Sequence, residues 1–246
     1  MFRCYLAVMV AYVTFSASVA FSEVAVQRMV PDAEAKSWYG IAKLNVAGTR
    51  WCNAVLISET EALTAAHCLF HQVTQHLAEA KDIKVILGQR RNEYAALRGV
   101  TDHAVLPGFS PGLGDSADLD QIAFDLALLQ LDAPVSIDEI RPFEVSDWLA
   151  NQSISVAGYG RDRPYLPSIR EDCVLTPVST HVARLGCTIV PGLSGAAVIG
   201  ETLGNQPRPL VGIVSANLHD PTGMKTGEAL VVGIGSRLEV LRALLP

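Results

Sequence analysis

The sequence predicts a mainly β protein of barrel or sandwich type, and three observations carry that expectation. Short apolar or alternating runs recur along most of the chain, turn-forming residues separate nearly all of them, and only two stretches have a helical pattern. Strands are expected at residues 40–46, 53–58, 82–87, 103–106, 126–131, 153–157, 196–199, 210–215 and 229–234. Helices are expected at 66–80 and at 236–245, where Ser236 can cap and Leu238, Leu241, Leu244 and Leu245 make an apolar stripe. Residues 111–121 read as an acidic surface loop, and 132–151, with Pro134 and Pro142, as the link between two halves.

Half of the 246 residues are hydrophobic and 18% are charged, so the chain can bury a sizeable core in one large or two small domains. The formal charge of −6, with no basic run, disfavours nucleic acid and anionic membrane as partners and suits neutral or cationic ones better. Residues 1–20 read as an export signal: Arg3 precedes an apolar run, and Ser18-Val19-Ala20 supplies small residues before a cut that leaves Phe21 first. The apolar run is shorter than the roughly 20 residues of a spanning helix, and no later segment is expected to span a bilayer. A periplasmic or secreted location follows, and it is an oxidising one. Cys4 leaves with the signal, and the spacings of the other four favour two local bridges, Cys52 with Cys68 and Cys173 with Cys187. Each loop would gain roughly 3 kcal/mol in the chain-entropy model. A zinc set is the alternative, disfavoured by the absence of a CxxC pair.

The stretch VPGLSGAAV sets Ser194 between Gly192 and Gly195. A serine hydroxyl is a weak nucleophile; it needs a histidine to take its proton and a carboxylate to fix the imidazole tautomer. Of six histidines, His67 stands apart in LTAAHC, where an apolar strand ends and Cys68 can tie the corner. Asp125, in IAFDLALLQL, heads an apolar run, a costly place for a carboxylate whose oxygens accept no hydrogen bonds. Taken singly, each has a plainer reading: a hydroxyl in a glycine-rich turn, a structural histidine, a surface acid that starts a strand.

Together, TAAHC, FDLALL, GLSGAAV and LVGIVS occur in the order of the blocks of the chymotrypsin-like (trypsin-like) serine peptidases. The chain resembles that family from about Met29 to Pro246, and its pattern is most similar to the bacterial glutamyl-endopeptidase-like branch. RMVPDAEAKSWYGIAKL resembles the mature start and ISVAGYGRD the opening of a second barrel. The order His, Asp, Ser excludes the two other common triad orders, and the serine stretch lacks the last glycine of a G-x-S-x-G elbow.

The resemblance implies an all-β fold: two six-stranded antiparallel Greek-key β-barrels with the active site in the cleft between them, then a C-terminal helix. A short propeptide would occupy 21–29, the first barrel 30–140 with His67 and Asp125, and the second 141–246 with Ser194. It implies that Ser194 attacks, that His67 is base and then acid, that Asp125 orients His67, and that the N–H groups of Gly192 and Ser194 form the oxyanion hole. Ser215 would support Asp125, and Ser215, Ala216 and Asn217 would hold the substrate backbone. Thr188 stands at the pocket base where Arg/Lys-cutting members carry aspartate, so small, apolar or acidic side chains are expected there, with His181 a candidate contributor. The implied partner is a polypeptide substrate, with no metal or organic cofactor, and a monomer is expected. A catalytically silent homologue that binds proteins through the same cleft and an esterase-type acyl hydrolase are the alternatives. One departure stands out. Trypsin-like members carry an aspartate where this chain has Leu193, and that aspartate pairs with the N-terminus freed by activation. Arg28-Met29-Val30 still resembles an activation site. Either the site is preformed, or another contact replaces the latch, or the enzyme is inactive.

Overall fold

The computed structural model describes residues 27–111, 119–201, 208–219 and 225–246. The expected signal at 1–20, most of the propeptide at 21–29 and most of the loop at 111–121 lie outside the described residues. The chain enters through the short strand β1 (Arg28–Met29). It then builds β2 (Ile41–Val46), β3 (Arg50–Leu56), β4 (Glu61–Thr64), β5 (Ile83–Leu87), β6 (Ala96–Val105) and β7 (Ala127–Leu131), which close as a barrel in the order β2-β3-β4-β7-β6-β5. All of its neighbours are antiparallel. Alternation along the strands fills the interior, where Leu44, Leu56, Leu63, Ile83, Leu87 and Leu129 are fully buried.

The second barrel consists of β8 (Ser153–Gly158), β9 (Ser168–Pro177), β10 (Val182–Leu185), β11 (Ala197–Gly200), β12 (Leu210–His219) and β13 (Lys225–Gly233). It runs β9-β10-β13-β12-β11-β8 and closes through β8–β9, while β1 pairs with the start of β9. This is the two-barrel architecture expected from the resemblance. Helix α1 (Leu119–Ala123) precedes β7 and α2 (Arg237–Leu244) ends the fold. Of the expected stripe on α2, Leu238 and Leu241 are buried, but Leu244 faces solvent. Ser236 makes no capping hydrogen bond.

The helix expected over 66–80 is absent. Only a 3-10 turn at Ala66–Leu69 forms, and the chain then leaves as a loop in which Phe70 bridges Leu77. Tertiary demands override the periodicity: the His67 N–H is spent on Asp125, Cys68 is tied to β3, and Gln75 takes a φ of 57°. The linker expected at 132–151 is irregular, but Val135 and Ile140 within it are fully buried.

Candidate active site

Asp125 lies just before β7, where the turn leaving α1 drops it into the interior at 3% exposure. Its carboxylate is surrounded by donors. Oδ1 accepts the backbone N–H of His67 at 2.8 Å, and Oδ2 faces His67 Nδ1 at 2.7 Å and accepts the Ser215 hydroxyl. A register shift in the β12–β13 pairing between Val214 and Ala216 is the irregularity that lets Ser215 point at the acid. Burial alone would raise the Asp125 pKa, but the His67 charge and the hydrogen bonds from His67 and Ser215 outweigh it and hold the pKa below the ordinary value. With Nδ1 turned to the carboxylate, His67 presents Nε2 away from it.

Ser194 is placed from both barrels. The Asn53 N–H donates to its carbonyl at 2.8 Å, and the neighbouring Gly195 N–H donates to Val214 O at 2.8 Å. Asn53 follows Cys52, which is disulfide-bonded to Cys68, the residue after His67. Val214 precedes Ser215, which holds Asp125. A closed circuit therefore runs from Ser194 through Asn53, the disulfide, His67, Asp125 and Ser215 back to Gly195. No hydrogen bond joins Ser194 Oγ to His67 Nε2 among the described residues, a looseness common before substrate binds; Nε2 lies 3.7 Å from Cys68 Sγ.

The serine loop is a tight turn. Gly192 has a φ of 95° and Gly195 one of 78°, the left-handed region that glycine enters without strain. A Cβ on Gly195 would come within 2.1 Å of Asn53 O. Among the described residues, neither the Gly192 N–H nor the Ser194 N–H has a protein acceptor, leaving two donors available to an incoming oxyanion.

Sequence reasoning missed Asn53. Its side chain is fully buried, and its Nδ2 lies 3.1 Å from Gly192 O, 3.2 Å from Ser194 O and 3.4 Å from Tyr159 O. Its Oδ1 accepts the Tyr159 N–H at 2.6 Å, and Thr64 Oγ1 donates to its carbonyl at 2.6 Å. The sequence signal was a lone asparagine inside the apolar run WCNAVLI, where a polar side chain must find partners.

Leu193 is 2% exposed and packs in the second core with Ile189, Ala196 and Val198. Cys173 and Cys187 are bonded to each other and buried in that same core. This bridge supports the serine loop from within, because both half-cystines are buried in the cluster that holds Leu193. Arg28 and Met29 are paired with Ile169 and Ser168, and Arg28 is ion-paired with Glu171 and Glu34. Thr188 is exposed and close to Gly227, whose neighbourhood leaves no room for a Cβ: one would lie 2.5 Å from Thr188 Cγ2. His181 is set apart from that point; its carbonyl accepts the Gly233 N–H, and Arg237 helps lower its pKa after burial. Ala216 and Asn217 pair with Leu230 and Ala229 on β13, whereas the pairing of β12 with β11 stops at Ile213. At residues 215–217 β12 is thus not paired with β11.

Residues 30–228 match the family model described as Trypsin, and the chain belongs to that family of chymotrypsin-like serine peptidases. It carries a trypsin-like peptidase domain. Curated relatives include clotting factor C of Tachypleus tridentatus and Limulus clotting factor C of Carcinoscorpius rotundicauda, each 29% identical over 92 residues, 35% of this chain. The match spans only 8% of the length of each. A solved structure of a Glu endopeptidase in complex with MPD shares the fold at a TM-score of 0.69 and 16% identity, over 88% of this chain and 94% of that one.

Proposed function

We propose that the chain is an exported serine endopeptidase that cleaves polypeptides through an acyl-enzyme on Ser194. His67 takes the Ser194 proton and returns it to the leaving amine. Asp125 keeps the His67 Nδ1 proton in place and stabilises the imidazolium, and the N–H groups of Gly192 and Ser194 receive the oxyanion. The observation that carries this reading is the closed circuit of contacts joining Ser194, His67 and Asp125, with both oxyanion donors left free.

The site is preformed in this reading, without an N-terminal ion pair. Asn53 takes the position of a latch by donating to the carbonyls of Gly192 and Ser194. The carbonyls of Pro191 and Leu193, which lie opposite the N–H groups of Gly192 and Ser194 in their peptide planes, accept the Arg161 and Ala196 N–H groups at 2.8 and 2.9 Å and leave those two donors to the substrate. Leu193 anchors the loop by burial where an aspartate would need a cation. Cleavage after Arg28 is unnecessary, and the pairing of β1 with β9 disfavours it. The edge of β12 at residues 215–217 suits an extended peptide better than a small ester, since it offers backbone groups to a substrate strand. The two buried disulfides fit an oxidising compartment.

Fluorophosphonate labelling of the wild type beside Ser194→Ala, with the N-terminus read by mass spectrometry, tests the proposal. Labelling of the wild type alone, with Phe21 first, supports it. No labelling of either would replace it with the silent, protein-binding homologue.

A further inference from the structure

A groove of about 650 Å³ leads away from Gly192 and Ser194 on the side that β12 does not occupy. Its walls carry three cations, Lys43, Arg50 and Arg161, and no aspartate or glutamate. None of the three forms an ion pair among the described residues, in contrast to Arg28 and Arg242. Lys43 is the best fixed. It is 7% exposed, donates to Pro164 O at 2.9 Å, and holds its ammonium 4.2 Å from the Trp51 ring and 4.8 Å from the Tyr165 ring. Burial lowers its pKa, a cost that a bound anion would offset. Arg50 spends one N–H on Phe70 O at 2.8 Å. The stem of Arg161 lies against Gly192, where an added Cβ would meet its Cγ at 2.8 Å. The lining also holds Gln72 and Gln89, neutral groups that can share hydrogen bonds with a carboxylate.

We propose that this groove binds an Asp- and Glu-rich segment of the substrate, on the side of the scissile bond opposite the part held by β12. The inference rests on the peptidase reading for the nature of its occupant. It reverses, at one place, the preference for neutral or cationic partners that the chain's net charge of −6 suggests. The groove sets cations without ion-pair partners beside the reacting serine, so acidic side chains there are attracted locally while the rest of the surface repels them.

The test uses the Ser194→Ala protein and two fluorescein-labelled decapeptides, identical except that one carries five Glu where the other carries five Gln. Fluorescence anisotropy at low salt should show the Glu peptide bound roughly tenfold tighter, with the gap closing as salt is raised. Arg161→Gln, at an exposed position that the fold does not need, should reduce the gap roughly threefold, and Lys43→Gln should reduce it further. Equal affinity for the two peptides overturns the inference, as does a preference that survives both substitutions. Because binding is read without turnover, a Glu preference in a protein that no fluorophosphonate labels would sink the peptidase reading alone. Labelling without any Glu preference would sink only this inference.

Discussion

The proposed site draws on His67 and Ser194, and the chain secures the two by different chemistry. The histidine corner is charged: a buried carboxylate with a depressed pKa accepts from His67 twice and from Ser215 once. The serine loop is neutral: an asparagine amide donates to two carbonyls, and a leucine is sunk in the second core. A charged support ties the first region to pH and makes it costly to break, since removing one partner leaves the other buried and unpaired. A neutral support of amide and leucine needs no counter-ion, no new N-terminus and no particular pH. The loop can therefore be ready as soon as the barrels have closed.

The strongest way to break the comparison is at the charged corner. Asp125→Asn should lower kcat about 10⁴-fold, the loss recorded for this substitution in the chymotrypsin-like template, while leaving fluorescence and circular dichroism of the folded protein intact. A loss under tenfold would remove Asp125 from the mechanism. At the neutral loop, Asn53→Asp keeps an acceptor for the Tyr159 N–H but loses both donors; kcat should fall about 100-fold with KM little changed, as for loss of an oxyanion donor. An Asn53→Asp enzyme with full kcat, measured by steady-state kinetics, would show that the loop stands without the amide.

Smaller effects sharpen the contrast through stability. Leu193→Ala should cost about 2–5 kcal/mol in denaturant unfolding, because it empties a site in a packed core. Leu193→Asp should be worse, as no cation is placed to receive it among the described residues. Acid separates the two regions further. A carboxyl with a depressed folded pKa contributes stability above its unfolded value, roughly 4, and loses that contribution as pH falls through the folded value. The difference in thermal midpoint between wild type and Asp125→Asn should therefore shrink below about pH 4, whereas the difference for Leu193→Ala should persist. The least effect is expected at Arg242, whose guanidinium meets both Glu61 oxygens at 2.9 and 2.7 Å on the surface. Arg242→Met should cost about 1 kcal/mol or less.

The histidine corner was legible in the sequence because its chemistry is written in contiguous motifs: TAAHC and FDLALL carry residue type and neighbours together. The support of the serine loop was not, since Asn53 acts on Tyr159, Gly192 and Ser194, all more than 100 residues away. Most strands were visible as apolar runs. Strands β1, β4, β9 and β10 were not: β9, SIREDCVLTP, exposes one face for most of its length and reads as a polar loop, and the other three are only two to four residues long. The false helix at 66–80 arose where periodicity competed with a disulfide and a hydrogen bond to Asp125, and the tertiary contacts won.

The central claim is that the site is complete before any cut at Arg28. Fluorophosphonate labelling rates of the protein with Phe21 at its N-terminus, measured before and after cleavage between Arg28 and Met29, test it most directly. Equal rates are predicted, since Asn53 and Leu193 already hold the loop. Labelling that begins only after the cut would mean that the new amine of Met29 builds the oxyanion hole, and that the neutral support is not sufficient.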